Sequence, residues 1–199
     1  MKKLMKCLLA LVLLFLTACS SGGASGSKTI TSTYTPESLD VDMSHYEWIV
    51  GKVAQYRETS LMEASKTIEN GGSGLFYFGY DTCDWCGRAL PELNKVLNDY
   101  DFITYYVNVH SENYSPTEED IQHFMKLIDS ELDHDANGEA IFYVPLVLGI
   151  KNGEVTGSHT SLVDSYVAVD IKDPNDQMSD ASKLELQQIY RDIINKTVD

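Results

Sequence analysis

A Cys-x-x-Cys motif at the junction of a strand and a helix constrains this chain more than any other feature. The run from Leu75 to Phe78 has the continuous apolar character of a strand buried in the middle of a sheet. Cys83 and Cys86 follow it and open a helical pattern. Two cysteines at this spacing lie on one helix face within reach of a disulfide, and the helix N-terminus stabilises a thiolate on the first. The motif therefore predicts a redox-active dithiol.

The other two cysteines, Cys7 and Cys19, belong to an N-terminal apolar segment. This segment follows three lysines and is too short to span a bilayer as a mature helix, so it predicts a signal peptide over residues 1–18. Export would place the chain in a compartment where disulfides persist. Because only Cys83 and Cys86 can then pair, they do not belong to a framework of structural disulfides.

The end of the apolar segment resembles a bacterial lipobox. Residues 16–19 read Leu-Thr-Ala-Cys, and in that motif the cysteine is diacylated after cleavage just before it. We expect Cys19 to be lipidated and residues 19–44 to form a flexible tether, since residues 20–35 are rich in Ser, Gly and Thr. Two acyl chains anchor a protein stably to a membrane. The alternative is an ordinary signal peptide cleaved near Ala18.

The mature chain is strongly acidic. Loss of residues 1–18 removes three lysines and no acid, which leaves 12 basic against 30 acidic residues and a formal charge of −18. This charge argues against a nucleic-acid partner. It could favour cationic peptide substrates or separation from an anionic surface, but a solvated acidic face is the simpler explanation.

Residues 45–199 are long enough for one domain with its own core. Hydrophobic periodicity predicts the order β-α-β-α-β-α-β-β-α. The predicted strands span residues 53–57, 75–80, 102–109, 141–150 and 155–159. Capping boxes predict helix starts at Ser60 and at Ser115, and two further helices span residues 86–98 and 181–195. Residues 164–180 are predicted to be mostly loop.

Three features at matching spacing resemble thioredoxin-fold proteins over roughly residues 53–196. An aromatic strand enters the Cys-x-x-Cys, Pro91 follows Cys86 by five residues, and Val144-Pro145 precedes a hairpin at residues 151–154. The resemblance implies an α/β thioredoxin-like fold, with a central mixed sheet and helices on both faces. The stretch 77–86 together with 91–94 more narrowly resembles thioredoxin-like proteins of Gram-positive bacteria described as bacteriocin transport accessory proteins.

Physics and the resemblance together suggest roles for five residues. Cys83 is the expected attacking thiolate, which forms a mixed disulfide with substrate, and Cys86 resolves it. The resemblance implies that Pro145 is cis and lies beside Cys83, where the Val144-Pro145 backbone could pair with an extended substrate. Trp85 is expected to contact substrate as well. The alternatives are a trans edge proline and a purely structural tryptophan.

Three departures from thioredoxin leave the direction of electron transfer open. Tyr77 stands where thioredoxins carry a buried aspartate that helps to deprotonate the resolving thiol. Asp81 and Asp84 should raise the pKa of the Cys83 thiol by like-charge repulsion, against the helix dipole, which favours a reductant. Val144 before the proline instead resembles oxidase-type relatives.

The sequence gives little indication of a metal site or of another kind of functional site. Residues 133–138 imitate the start of an EF-hand loop, but the twelfth position falls on Val144, where a bidentate glutamate is required, so they predict a turn. The five histidines show no paired ligand spacing with the cysteines. We therefore expect neither a metal nor another cofactor.

Two hypotheses follow from the sequence. The first is a membrane-tethered, extracytoplasmic thiol–disulfide oxidoreductase that acts on exported proteins or peptides, with a membrane electron-transfer protein as its redox partner. The second is a non-catalytic thioredoxin-fold module that assists a transporter or binds a surface partner, in which the cysteine pair is structural.

Overall fold

The computed structural model of the chain describes residues 28–199. The predicted signal peptide at residues 1–18, the lipidation site Cys19 and the first part of the predicted tether lie outside the described residues.

Eight strands and four α-helices build the described part of the chain. The strands are β1 (Ser38–Asp40), β2 (Tyr56–Thr59), β3 (Gly74–Gly79), β4 (Thr104–Asn108), β5 (Asp133–His134), β6 (Ala140–Ile141), β7 (Leu146–Lys151) and β8 (Glu154–Thr160). The helices are α1 (Leu61–Glu69), α2 (Asp84–Leu97), α3 (Glu118–Leu127) and α4 (Asp180–Thr197).

Six of the strands form one mixed sheet in the order β1-β2-β4-β3-β7-β8, and β5 and β6 form a separate pair. Strands β2, β4 and β3 run parallel, whereas β1, β7 and β8 pair antiparallel with their neighbours. Strand β3 is central, with Leu75 opposite Thr104 of β4 on one side and opposite Gly149 of β7 on the other. This position explains the continuous apolar character of β3.

Helices cover both faces of the sheet and create two hydrophobic cores. Side chains of β3 alternate between them: Leu75 and Tyr77 belong to the core under α2 and α4, whereas Phe76 and Phe78 belong to the core under α1 and α3. All four side chains are fully buried. The predicted fold class, an α/β thioredoxin-like fold with a central mixed sheet and helices on both faces, is confirmed.

Helix α3 begins later than its predicted capping box. Thr117, rather than Ser115, is the N-cap: its hydroxyl accepts from the Asp120 N–H at 3.1 Å, and the Asp120 carboxylate accepts from the Thr117 N–H at 2.9 Å. This reciprocal pair satisfies two helix-end N–H groups, as a capping box with Glu or Gln at the same position does.

The predicted strand at 141–150 is two strands, β6 and β7, separated by residues 142–145. Pro145 has no N–H to donate to a ladder, which interrupts the strand at that point. The predicted turn at 133–138 instead begins with β5, and Asp135 closes the turn to β6 because its carboxylate accepts from the N–H groups of Asn137 and Glu139.

Residues 28–44, most of which fall in the predicted tether, pack against the rest of the described chain. Strand β1, inside the predicted tether, pairs with β2. The Glu63 carboxylate on α1 accepts from the Tyr34 hydroxyl at 2.6 Å, the Glu37 N–H at 2.9 Å and the Lys66 ammonium at 2.7 Å. Met43 of this segment is buried in the core, and Ile30 and Val41 pack against it. The polar composition of the segment conceals these contacts, because its few apolar residues form no periodic pattern.

We predict that Glu63→Gln lowers the free energy of unfolding at neutral pH by about 1–3 kcal/mol, the scale of hydrogen bonds to a charged group. Burial alone raises the pKa of Glu63, but the bonds from Lys66, Tyr34 and the Glu37 N–H outweigh it, so the pKa lies below its ordinary 4.5. A lowered pKa stabilises the fold above that pH, and the contribution disappears as the pH falls through the folded-state value.

Urea unfolding of the wild-type and variant chains between neutral and acid pH measures this effect. The difference between them should shrink as the pH falls below 4.5. Glu69→Gln is the matched control on the same helix, because Glu69 is exposed and contacts only His123 among the partners described for its side chain. An equal loss in both variants would contradict the prediction.

Candidate redox site

The dithiol lies where β3 leads into α2, as predicted. Cys83 is the N-cap of α2 and forms a disulfide with Cys86, their Cα atoms 5.1 Å apart. The Cys83 sulfur also accepts from the Cys86 backbone N–H at 3.1 Å. Cys83 is 7% exposed, whereas Cys86 is fully buried. In the reduced protein the N–H group at the helix terminus can stabilise a Cys83 thiolate.

The Val144–Pro145 segment lies beside the dithiol end of β3. Its peptide bond is cis, as the resemblance implied. The register pairs Phe78 with Leu146, which places the preceding residue, Pro145, next to Gly79 at the end of β3. The Pro145 carbonyl accepts from the Ser161 N–H at 2.8 Å. The backbone N–H and C=O of Val144, by contrast, form no hydrogen bond within residues 28–199.

Tyr77 occupies the space directly beneath the dithiol. A Cβ atom added to Gly79 would lie 2.9 Å from the Tyr77 ring, 3.0 Å from its hydroxyl oxygen and 3.1 Å from the Cys86 sulfur. The Tyr77 hydroxyl donates to the Cys86 carbonyl at 3.4 Å. The position that the sequence comparison identified as a departure from thioredoxin therefore contacts the resolving cysteine.

The surroundings of Tyr77 keep its hydroxyl neutral. Tyr77 stacks on Tyr106, whose hydroxyl is 3.2 Å from that of Tyr46. Burial, with a smaller effect of neighbouring tyrosines, raises the pKa of Tyr77 and of Tyr46 well above the ordinary value, and burial raises that of Tyr106 to about 12. Tyr77 thus places a hydrogen-bond donor near Cys86 rather than a buried carboxylate that could accept a proton.

Arg88 joins the dithiol helix to the long loop at residues 161–179. Its guanidinium is buried and donates to three backbone carbonyls, those of Asp84 at 2.9 Å, Asp173 at 2.8 Å and Asp176 at 2.9 Å. It also stacks on the Trp48 ring, 5.1 Å from the ring centroid. Sequence reasoning missed this long-range role of Arg88 because no local pattern signals it.

Two hollows flank the dithiol. The smaller, about 250 Å³, is lined by Cys83 itself together with Tyr46, Trp48 and Arg88 among others. The larger, about 1060 Å³, has Trp85 and Val144 in its lining and is walled mainly by the 161–179 loop. We call this larger hollow the loop groove. Sequence reasoning missed it, although the apolar residues of the 161–179 loop, among them Val167 and Val169, were a signal.

The predicted site residues therefore come together. Cys83, Cys86 and Val144 contact one hydrophobic core, and Trp85 and Val144 line the same groove. Within residues 28–199, no three His, Cys, Asp or Glu side chains are placed to hold a metal ion. No described helix combines the length and apolar character needed to cross a membrane.

No protein-family model and no curated protein matches the chain. Among solved structures, it is similar to thioredoxin from Aeropyrum pernix, at 16% identity over 51% of this chain and 72% of that one, with a TM-score of 0.32. Oxidized thioredoxins O2 and O1 from Arabidopsis thaliana are each 18% identical. The matches cover 69% and 70% of this chain and 96% and 99% of those, with TM-scores of 0.35 and 0.34. Overlays at these scores support no functional statement; the fold assignment rests on the strand order and the place of the dithiol.

We predict that Gly79→Ala destabilises the oxidised protein by about 1–3 kcal/mol, because the added methyl would overpack the contact between Tyr77 and Cys86. Gly87→Ala is the control within the dithiol helix. Its nearest neighbours would be Trp48 ring atoms at 3.8 and 3.9 Å, and alanine favours a helix by up to about 1 kcal/mol over glycine. Urea unfolding measures both, and a destabilisation by Gly87→Ala as large as that by Gly79→Ala would contradict the prediction.

Proposed function

We propose that this protein is a thiol–disulfide oxidoreductase that uses Cys83 and Cys86. The observation that carries the proposal is the pairing of a cysteine at the N-cap of α2 with a fully buried second cysteine one turn later. A helix N-terminus favours the thiolate of the first cysteine, and burial shields the second from competing thiols. The thioredoxin-like fold and the Cys-x-x-Cys pair support this general activity.

The exchange has two steps. The Cys83 thiolate attacks one sulfur of a substrate disulfide; the substrate S–S bond breaks, a Cys83–substrate S–S bond forms, and the other substrate sulfur leaves as a thiolate. The Cys86 thiolate then attacks the Cys83 sulfur and releases the second substrate thiolate. Two electrons pass from the protein dithiol to the substrate disulfide, and the same steps in reverse oxidise a substrate dithiol.

A purely structural role fits this disulfide poorly. Loop-closure entropy predicts that a bridge across so few residues stabilises the fold by only about 2 kcal/mol, against about 4.7 kcal/mol for a 100-residue loop. The pair also joins no distant segments of the chain; Cys83 instead lines the smaller hollow, and Trp85, between the two cysteines, lines the larger one.

Substrate contact is assigned to Trp85, Val144 and Pro145. The free N–H and C=O of Val144 can add an extended substrate strand beside Cys83, which is the β-augmentation mode of peptide recognition. Trp85 is 37% exposed and offers a flat apolar surface at the same place.

The proposed setting is the outer face of a bacterial cell membrane. The support is the N-terminal sequence, in which an apolar segment ends in Leu-Thr-Ala-Cys with Cys19 as the proposed lipidation site. The proposed substrates are exported proteins or peptides, and a membrane electron-transfer protein would restore the dithiol or disulfide. The resemblance to bacteriocin transport accessory proteins makes an exported peptide a candidate substrate.

Replacement of each cysteine tests the proposed roles. We predict that Cys83→Ser abolishes disulfide exchange with a model peptide, while Cys86→Ser accumulates a mixed disulfide between Cys83 and the peptide, because the resolving thiol is missing. Mass spectrometry after acid quenching measures both, in a full chain that also carries Cys7→Ser and Cys19→Ser. A non-catalytic module predicts the contrary outcome, in which no mixed disulfide forms and the wild-type pair shows no turnover.

Neutralisation of Asp84 tests the electrostatics of the dithiol. Asp84 follows Cys83 directly, and removal of its charge should lower the pKa of the Cys83 thiol and make the pair more oxidising. We predict that Asp84→Asn shifts the exchange equilibrium with glutathione toward the dithiol by about threefold, the scale of one charge at a helix terminus. Asp192→Asn, on the exposed face of α4, is the control. Equal shifts in both variants would refute the local effect.

A further inference from the structure

The loop groove gathers exposed apolar side chains beside the dithiol. Nine large hydrophobic residues are exposed in residues 28–199, and four of them line this groove: Trp85, Tyr143, Val167 and Val169. Val167 and Val169 are 82% and 96% exposed, so the loop presents them to solvent rather than to the core. Such a patch next to a reactive group is typical of a binding surface.

Hydrogen bonds hold the wall of the loop groove in place. The Asp176 carboxylate accepts from the backbone N–H groups of Val169 and Asp170 at 2.6 and 2.7 Å, and the Asp176 carbonyl accepts from Tyr166 and Arg88. Arg88 belongs to α2, two residues beyond Cys86. The valine-bearing segment is thereby tied to the same helix that carries the dithiol.

The loop groove is negatively charged. Asp133, Asp164, Asp170 and Glu185 line it, all four are exposed, and none forms an ion pair within the described part of the chain. The groove lining contains no lysine or arginine. Burial lowers the pKa of its histidine, His159, which favours the neutral form.

We propose that the loop groove binds the extended polypeptide around a substrate cysteine and selects segments that combine lysine or arginine with apolar residues. This inference rests on the proposed function and adds the substrate class. Apolar side chains would cover Trp85, Val167 and Val169, and cations would neutralise the unpaired carboxylates. Charge complementarity of this kind raises the association rate and rejects acidic segments.

Exchange kinetics with matched peptides test the proposal. Three peptide dimers, each joined by one cysteine disulfide, share the same apolar residues and differ only in lysine, serine or glutamate beside them. The reduced full chain, with Cys7→Ser and Cys19→Ser throughout, is mixed with each peptide, and the released thiol is measured after acid quenching. Each rate is divided by the rate at which dithiothreitol reduces the same peptide, which corrects for differences in the intrinsic reactivity of the peptide disulfides.

We expect the normalised rate to be about tenfold higher for the lysine peptide than for the glutamate peptide at low salt. The ratio should fall as ionic strength rises from about 0.01 M to about 1 M, where the screening length shortens from about 30 Å to about 3 Å. Equal normalised rates for the two peptides would overturn the proposal.

A pair of matched variants separates the groove from overall charge. The groove variant combines Asp133→Asn, Asp164→Asn, Asp170→Asn and Glu185→Gln. The remote variant combines Glu119→Gln, Glu139→Gln, Glu154→Gln and Asp192→Asn, which are exposed and lie outside the groove. Both raise the net charge by the same amount.

The groove variant should lose most of the preference for lysine, and the remote variant should keep most of it. Equal losses in the two variants would overturn the proposal, because the preference for lysine would then come from the electric field of the whole protein. If the wild-type dithiol reduces none of the three peptides faster than the Cys83→Ser variant does, the proposed oxidoreductase function fails as well.

Discussion

Burial of β3 on both of its faces is the constraint on which the rest of the structure depends. Hydrogen bonds from β4 and β7 hold the strand on either side, and the two helical layers bury its side chains above and below. The C-terminal end of β3 is therefore held in place. Helix α2 follows it, with Cys83 at the helix N-terminus and Cys86 inside the core. The fold therefore leaves Cys83 slightly exposed and buries Cys86 completely beneath it.

Residues that the sequence does not connect complete the site. Tyr77 fills the space below the cysteines with a neutral hydroxyl, and Gly79 leaves just enough room for that ring and the Cys86 sulfur. Arg88 uses its buried guanidinium to hold carbonyls of the 161–179 loop, with no carboxylate partner within the described residues. One helix thus fixes the dithiol and the wall of the groove beside it. In the proposed function, the residues that would select the substrate and the residues that would exchange electrons are therefore held by the same helix.

The sequence predicted features that have a local or periodic signal. Buried strand β3 and the helix after the cysteines belong to this class, whereas the cis form of Pro145 followed only from the family resemblance. Prediction from the sequence failed where long-range contacts between polar groups determine the structure. Glu63 binds Tyr34, and Arg88 binds the loop wall, across separations of 29 and 85 residues. Hydrophobic periodicity carries no information about contacts of this kind. The start of α3 was misplaced because Ser115 and Thr117 offer competing caps, and only Thr117 finds a reciprocal partner in Asp120.

The reduction potential of the Cys83–Cys86 pair tests the central claim, that this is a working dithiol rather than a structural bridge. The full chain carrying Cys7→Ser and Cys19→Ser would be equilibrated with dithiothreitol and glutathione buffers, and the oxidised fraction read by thiol alkylation and mass spectrometry. The account predicts a potential between about −270 mV and about −120 mV, the range of thioredoxin-fold oxidoreductases. A potential below about −300 mV, where structural disulfides of secreted proteins lie, would contradict it.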